Sequence, residues 1–243
     1  MEPAVLRDDM VDSLEHESKG CVTSESVSIA MRTVPREAFV EDERAAYADR
    51  AFERHGTRVL APSTAARLIE ALAPQPGDSV LVVGAGVGYT SAVVAEMTGA
   101  ESVQAVDINR RLVLEARRNL ASAGYDAVFV DRRNGVDGLP EYAPYDRILL
   151  EAAAVEPPRA LLDQLDDGGR LVLPEGAGQQ TLSVVEDGAV VERGGTVVFR
   201  PMLVEGEQTD TVERNRTHRE DREHARRVQR QRRDWHRWAD WED

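Results

Sequence analysis

The chain has 243 residues, a formal net charge of −14 and one cysteine, Cys21. That length allows one large domain or one domain with appendages, and a single cysteine excludes an intrachain disulfide. No apolar run approaches the roughly 20 residues that a membrane span requires, so we expect a cytoplasmic protein without a signal peptide or a membrane anchor.

The charge comes from an excess of acidic residues over arginine. Lys19 is the only lysine, and 30 basic residues stand against 44 Asp and Glu. This balance resembles that of proteins from a salt-saturated cytoplasm, where ions screen a strongly charged surface. We therefore interpret the acidity as a halophilic adaptation, and it disfavours duplex DNA as a partner.

The N-terminal quarter predicts a helical cap followed by a lid. Helices are expected over residues 4–18 and 24–33, the second with Thr23 or Ser24 as its N-cap. Residues 35–61 mix Pro, Gly and charge without a clean period, and we interpret them as an irregular lid. A third helix is predicted to begin at Pro62 and to end near Leu72.

Strands and helices alternate in the rest of the chain. Apolar runs predict strands over residues 79–84, 103–107, 127–131, 146–151 and 169–174. The segments between and before them predict helices over residues 88–98, 109–123 and 157–166. Three later runs predict strands over residues 181–187, 189–193 and 196–203, joined by short turns at Asp187-Gly188 and Gly194-Gly195. This order predicts an α/β fold, a mostly parallel sheet with helices on both faces and antiparallel C-terminal strands.

A glycine turn after the first of these strands is the clearest site signal. Gly84, Gly86 and Gly88 alternate there, and glycine permits both a sharp turn and the close approach of a ligand. The next strand ends in Asp107, a position that suits the hydroxyls of a ribose. The G-x-G-x-G spacing differs from the G-x-G-x-x-G of dinucleotide sites, so we predict a nucleoside cofactor without a pyrophosphate. The alternative is a turn that binds nothing.

Several further segments carry a family resemblance. Residues 30–40 read AMRTVPREAFV, residues 46–49 read AYAD, residues 143–148 read APYDRI and residues 168–174 read GGRLVLP. With the glycine turn, they resemble the protein-L-isoaspartate (D-aspartate) O-methyltransferase family of class I S-adenosylmethionine-dependent methyltransferases, which have a Rossmann-like sheet. The resemblance covers roughly residues 10–203.

The resemblance implies methyl transfer from S-adenosyl-L-methionine to the side-chain carboxylate of L-isoaspartyl residues in damaged proteins. That carboxylate is ionised at pH 7, so the reaction needs positioning rather than a strong base. Asn134 stands where the family has an Asp that meets the adenine amino group, and Arg133 replaces a glycine beside it. The implied cofactor-binding residues are Gly84, Ala85, Gly86, Gly88, Tyr89, Asp107, Ile108, Asn134 and Gly135.

The chain departs from the family pattern in the acceptor region. The family reads GQTISAP where residues 56–62 read GTRVLAP, so Leu60 replaces the Ser that orients the isoaspartyl carboxylate. Glu151 replaces the family's Thr in VTAAA. The implied acceptor-binding residues are Arg58, Leu60, Ala61, Pro62 and Glu151.

No catalytic residue is assigned, because Leu60 cannot hydrogen-bond. Thr57, Arg58 and Ser63 are the candidates to compensate, and the Arg58 guanidinium could hold a carboxylate with two hydrogen bonds. The alternative is that Arg58 and Glu151 form an ion pair or lie at the surface. The histidines and Cys21 show no metal-ligand spacing, so no metal is expected.

Residues 207–243 form a separate compositional unit, with ten Arg and ten acidic residues. We predict a charged helix there, with Trp235 and Trp238 near one face. Residues 214–237 are the most basic part and allow RNA or an acidic partner, although a solvated helix is the favoured interpretation. The predicted domains are thus a cap and lid (1–61), a cofactor-binding catalytic domain (62–206) and this extension.

Three functions stay open at this point. The first is carboxyl methylation of isoaspartyl proteins. The second is a methyltransferase of the same fold with another acceptor, such as RNA. The third is an S-adenosylmethionine-binding protein that lacks isoaspartate activity because Leu60 replaces the family's Ser.

Overall fold

The computed structural model describes residues 2–43 and 45–203 of the chain. The predicted C-terminal helix, with its Arg and Trp residues, lies outside the described residues. The domain boundaries at residues 61 and 206 stay predictions. None of the described helices is long and apolar enough to cross a membrane.

Three helices and a hairpin precede the main sheet. Their bounds are α1 (Pro3–Glu15), α2 (Glu25–Thr33), β1 (Phe52–Arg54), β2 (Thr57–Val59) and α3 (Pro62–Leu72). The Ser24 side chain accepts a hydrogen bond from the Val27 N–H at the start of α2, as expected of an N-cap. The predicted helices are confirmed, except that α1 ends three residues earlier than predicted.

The prediction of an irregular lid over residues 35–61 is wrong in its second half. β1 and β2 pair there as an antiparallel hairpin. His55 and Gly56 at its tip both have positive φ angles, 44° and 80°, which is the conformation of a two-residue hairpin turn. Strands of three residues are too short to produce a readable alternation, so the sequence pattern missed them.

Seven strands form the main sheet in the order β5-β4-β3-β6-β7-β8-β9. The strands are β3 (Val80–Val83), β4 (Val103–Asp107), β5 (Phe129–Arg132), β6 (Tyr145–Leu150), β7 (Leu165–Glu175), β8 (Gln180–Glu186) and β9 (Ala189–Val197). The intervening helices are α4 (Tyr89–Thr98), α5 (Arg110–Ser122) and α6 (Arg159–Leu162). β3 to β7 run parallel, and β8 and β9 are antiparallel. The predicted fold class is confirmed.

Three predicted elements differ most from the structure. The helix expected over 157–166 is only the four-residue α6, because Leu165 already pairs with Tyr145 in the sheet. The strands expected over 189–193 and 196–203 are the single strand β9 as far as Val197. Gly194-Gly195 does not turn the chain there. The pairing with β8 shifts register at this point, so the two glycines occupy a β-bulge.

Both faces of the sheet are buried at its centre. Along β3, Val80 and Val82 pack into one hydrophobic cluster, and Leu81 and Val83 pack into another. The first cluster includes residues of α1 to α5, so the N-terminal helices share a core with the glycine-turn helix. This packing brings the segment before α3 to the carboxyl edge of the sheet, where the site residues lie.

Candidate active site

The glycine turn lies at the carboxyl end of β3, the strand where the sheet order reverses direction. Open α/β sheets bind ligands at this kind of position. Gly84, Gly86 and Gly88 have φ angles of 93°, 53° and 93°, which side chains rarely tolerate. The N–H groups of Gly84 and Ala85 both donate to the Val106 carbonyl, at 2.8 and 3.0 Å. The turn is therefore fixed against the neighbouring strand.

Asp107 ends that neighbouring strand and is only 8% exposed. One carboxylate oxygen accepts from the Gly86 N–H at 3.0 Å, and the other accepts from the Asn109 N–H at 2.8 Å. Burial raises the pKa of Asp107, and the two N–H donors partly offset that rise. Each oxygen keeps lone-pair capacity for a further donor, as the two hydroxyls of a ribose would require.

The residues predicted around the adenine lie beside the same edge. Asn134 is half-buried, and its side-chain oxygen accepts from the Val136 N–H at 3.4 Å. A Cβ on Gly135 would lie 2.5 Å from Val83 Cγ1, so only glycine fits there. The guanidinium of Arg133 pairs with Asp131 and Glu141, at 3.2 and 3.1 Å. Arg133 is thus held in a surface ion-pair network.

These residues fit an adenosine-containing cation. The glycine turn has no side chains that would block a ligand from the backbone. Asp107 has two carboxylate oxygens held in place by N–H groups, and the neighbouring Ile108 is half-buried. The Asp107 carboxylate makes the site acidic, which suits a sulfonium rather than a phosphate. In the described part of the chain, no group of three His, Cys, Asp or Glu residues is placed to hold a metal ion.

Tyr89, the residue after the turn, points its ring away from the site. The ring meets Phe39 edge-on at 5.7 Å and lies 4.4 Å from the Arg36 guanidinium carbon. The side chain is 3% exposed. Only the backbone of Tyr89, at the first turn of α4, is available to a cofactor.

Arg36 connects this turn to the acceptor segment. It is fully buried, its Nε donates to the Ala46 carbonyl at 2.8 Å, and its Nη2 donates to the Leu60 carbonyl at 2.5 Å. Burial lowers the pKa of the guanidinium, and Tyr89 partly offsets that effect. Arg36 lies in the VPRE motif, but nothing in the sequence indicated which carbonyls it would bind.

The acceptor segment leads directly into α3. The Leu60 side chain is half-buried against the hydrophobic core, Ala61 occupies the N-cap position and Pro62 is the first helical residue. The Asp49 carboxylate accepts from the Ser63 N–H at 3.0 Å. Burial opposes ionisation of Asp49, but hydrogen bonds from the Ser63 side chain and from Lys19 outweigh it, so the pKa of Asp49 is lowered. Ser63 is thus engaged at the helix start.

Arg58 lies on the hairpin and is engaged in an ion pair. Its Nε is 3.0 Å from Glu53, directly across the hairpin, and Arg200 contacts the other oxygen of that carboxylate at 2.7 Å. The Arg58 side chain is 46% exposed. It therefore pairs with Glu53 rather than with Glu151. Thr57 faces Arg54 in the same hairpin.

A contact network joins the hairpin to the cofactor side, and sequence reasoning missed it. Glu115 of α5 is 2.7 Å from Arg54 and 2.9 Å from His55 Nε2. The side-chain amide of Asn109 donates to the His55 carbonyl at 3.1 Å. These contacts join residues about 55 to 60 positions apart, which no local pattern reveals.

Glu151 lies next to the glycine turn. The Glu151 N–H donates to the Val83 carbonyl at 2.8 Å. A Cβ placed on Gly84 would lie 3.4 Å from the Cβ of Glu151. One carboxyl oxygen, Oε1, is buried without a hydrogen-bond partner among the described residues. Burial raises the pKa of Glu151 to about 8. A hydrogen bond with Thr90 lowers it, and the charge of Asp107 raises it further. The sequence reasoning did not single out Thr90.

The structure thus brings the predicted cofactor residues together around one edge of the sheet. Glu151 lies there too. Arg36 contacts both the Leu60 carbonyl and the ring of Tyr89 at the start of α4. Arg58 and Ser63 instead have partners of their own. Which of these residues contact a ligand stays a prediction.

Comparison with solved structures places this fold among known methyltransferases. A Plasmodium falciparum protein named as a protein-L-isoaspartate O-methyltransferase, solved with S-adenosyl-L-homocysteine, superposes with a TM-score of 0.71 at 22% identity, covering 81% of this chain and 98% of that one. Another structure named protein-L-isoaspartate O-methyltransferase has a TM-score of 0.71 at 26% identity, covering 86% of this chain and 69% of that one.

Sequence comparison is more specific. Residues 7–207 match the family profile described as Protein-L-isoaspartate(D-aspartate) O-methyltransferase. The protein-L-isoaspartate O-methyltransferase of Aeropyrum pernix is 44% identical over 206 residues, which cover 81% of this chain and 78% of that protein. The Methanosarcina mazei protein of the same name is 40% identical over 206 residues, 82% of this chain and 83% of its own length. The chain therefore belongs to the protein-L-isoaspartate(D-aspartate) O-methyltransferase family.

Proposed function

We propose that this protein transfers a methyl group from S-adenosyl-L-methionine to the side-chain carboxylate of L-isoaspartyl residues in damaged proteins. The observation that carries the proposal is the glycine turn with Asp107 at the sheet edge, in a chain whose curated relatives bear this activity in their names. Its partners are then proteins and peptides that contain isoaspartate. The buried, unpaired Cys21 agrees with a reducing, cytoplasmic location.

The cofactor, when bound, supplies an electrophilic methyl group on a sulfonium. On this proposal the Gly84, Gly86 and Gly88 backbone receives it closely, Asp107 accepts hydrogen bonds from the ribose, and Asn134 meets the adenine. The two N–H donors on Asp107 hold its carboxylate in one orientation before the cofactor arrives. Little reorganisation is then needed on binding.

The acceptor carboxylate needs no base, because it is already ionised at neutral pH. The remaining task is to hold it in line with the methyl group in a site that excludes water. The segment from Thr57 to Pro62 closes this side, and the buried Arg36 fixes its position through the Leu60 carbonyl. A buried side chain therefore holds the acceptor segment in place.

The direct test uses S-adenosyl-L-methionine carrying a labelled methyl group and a short isoaspartyl peptide. The control is the aspartyl isomer of the same peptide, and both reactions run at high and low salt because the surface is strongly acidic. We expect base-labile methyl ester with the isoaspartyl peptide only. Absence of isoaspartate-dependent ester, in a preparation that binds S-adenosylhomocysteine by calorimetry, would contradict the proposal and favour a binding protein without this activity.

A further inference from the structure

Glu151 is a half-buried residue at the carboxyl edge of the sheet, and its carboxyl oxygen Oε1 is buried. It follows β6, next to the glycine turn that ends β3, and it contacts Thr90 in the first turn of α4. Its Oε1 atom has neither solvent nor a hydrogen-bond partner among the described residues. A buried polar atom without a partner is costly, so it points to a ligand that completes it.

Two of the other polar side chains considered for the acceptor site have partners already. Arg58 is paired with Glu53 at the surface, and Ser63 is bonded to Asp49 at the start of α3. Leu60 has no polar side-chain atom to offer. Glu151 is therefore the predicted acceptor residue whose polar group is both buried and incompletely bonded.

We propose that the Glu151 carboxyl group contacts the acceptor carboxylate directly and donates a hydrogen bond to it, supplying the donor that Leu60 lacks. This inference rests on the proposed function. The acceptor and Glu151 would then share one proton between two carboxyl groups, an arrangement that also orients the acceptor. No bond is made or broken at Glu151, and the methyl group passes only between cofactor and acceptor.

The electrostatics require Glu151 to carry its proton. An ionised Glu151 would repel the anionic acceptor and also Asp107, which faces it from the end of β4. Thr90 faces it from α4 and favours the charged form, but burial outweighs that contact, and the pKa of Glu151 is about 8. At pH 7 most of the cofactor-free protein therefore holds the donor form.

The test compares Glu151→Gln, Glu151→Ala and the double variant Leu60→Ser/Glu151→Ala with wild type. Gln keeps an N–H donor that does not titrate, Ala removes the donor, and Ser restores a hydroxyl at position 60. Turnover is followed through S-adenosylhomocysteine release with an isoaspartyl peptide from pH 6 to pH 9.5, because the methyl ester itself is labile to base. Calorimetric titration with S-adenosylhomocysteine and thermal melting run on every variant.

We expect wild-type kcat/KM for the peptide to fall above about pH 8, and the Gln variant to lose this fall. At pH 7, Glu151→Ala should lose roughly 10- to 100-fold in kcat/KM, and the double variant should recover at least part of that loss. The affinity for S-adenosylhomocysteine should stay within about twofold of the wild-type value.

Three results would overturn the inference while leaving the proposed function in place. They are an Ala variant as active as wild type, a Gln variant with the same alkaline fall, and a loss of S-adenosylhomocysteine affinity with peptide KM unchanged. The last would assign Glu151 to the cofactor's ammonium group. If wild type itself shows no isoaspartate-dependent turnover, the proposed function fails, and this inference fails with it.

Discussion

The cofactor side and the acceptor side of this site are built by different means. On the cofactor side, backbone groups carry the geometry, since three glycines with positive φ angles turn the chain and two N–H groups align Asp107. On the acceptor side, buried side chains carry it, with Arg36 bound to the Leu60 carbonyl and Glu151 next to the turn. The glycines and Asp107 of the cofactor side can be recognised in the sequence. The roles of Arg36 and Glu151 on the acceptor side depend on how they are packed in the folded chain.

This difference explains why the glycine turn keeps the family pattern while the acceptor segment departs from it. A glycine turn tolerates few substitutions, because a Cβ on Gly88 would meet Leu120 at 3.2 Å in a backbone conformation that side chains rarely adopt. A hydrogen-bond donor at the acceptor, in contrast, can come from several residue types at several positions. We therefore expect variants on the two sides to affect different measurements.

The largest effect concerns the pH dependence of stability at Glu151. The pKa of Glu151 is about 8 in the folded protein and near 4.5 when unfolded. At pH values between these two, the folded state binds one more proton than the unfolded state. The free energy of unfolding therefore falls as the pH rises from about 4.5 to about 8. Glu151→Gln removes that fall. We expect it to increase the free energy of unfolding, without cofactor, by roughly 4 to 5 kcal/mol at pH 8.5 and by about 1 kcal/mol or less at pH 5.

Denaturant unfolding of both proteins at the two pH values checks this prediction. Because only one residue differs, contributions from other titrating groups cancel in the comparison. A Gln variant whose advantage is the same at pH 5 and pH 8.5 would show that the Glu151 carboxyl is solvated or paired.

Asp107→Ala should give the next largest effect, on the cofactor side. It removes both oxygens predicted to bind the ribose and leaves two N–H groups without acceptors. We expect S-adenosylhomocysteine to bind about 100-fold more weakly, or about 3 kcal/mol, by calorimetry. Asp107→Asn, which keeps one acceptor oxygen, is the matched control and should lie between the two. Equal affinity for wild type and the Ala variant would remove Asp107 from the cofactor site.

Arg36→Met tests the connection between the two sides. Met fills much of the buried volume but leaves the Ala46 and Leu60 carbonyls without their donor. We expect a loss of about 2 kcal/mol in unfolding free energy and a raised peptide KM, with cofactor affinity changed by less than about threefold. Arg36→Lys retains charge but cannot bridge both carbonyls. A Met variant that loses stability without any change in peptide KM would limit Arg36 to folding.

The smallest effect is expected at Arg58. Its ion pair with Glu53 is half-exposed, and such pairs contribute about 0.5 kcal/mol or less. Arg58→Ala should leave the melting temperature nearly unchanged and the peptide KM within about twofold of wild type. Arg200→Ala, on the other oxygen of Glu53, is its control. A tenfold rise in peptide KM for Arg58→Ala alone would instead make Arg58 the group that holds the acceptor carboxylate.

Much of the fold was predictable, because alternation of apolar runs with helical segments and turn residues is a local signal. Gly194-Gly195 misled the prediction, since two glycines suit a turn and a β-bulge equally well, and only pairing with β8 decides. The hairpin was missed because each of its strands has three residues.

The candidate site divides in the same way. Gly84 to Gly88 and Asp107 follow from spacing along one strand and the next. The contacts of Arg36 with Leu60, of Asp49 with Ser63 and of His55 with Glu115 join segments that are adjacent only in the folded chain. The sequence alone showed that Glu151 departs from the family, but its burial, and hence its raised pKa, depends on the packing around it.

The separation of the two sides is tested most directly by titrating Glu151→Ala with S-adenosylhomocysteine in a calorimeter. If the acceptor side is distinct, the variant binds within about twofold of wild type, although it loses isoaspartyl-peptide turnover. A tenfold or greater loss of S-adenosylhomocysteine affinity in this variant, with its melting temperature unchanged, would place Glu151 on the cofactor side and contradict the account.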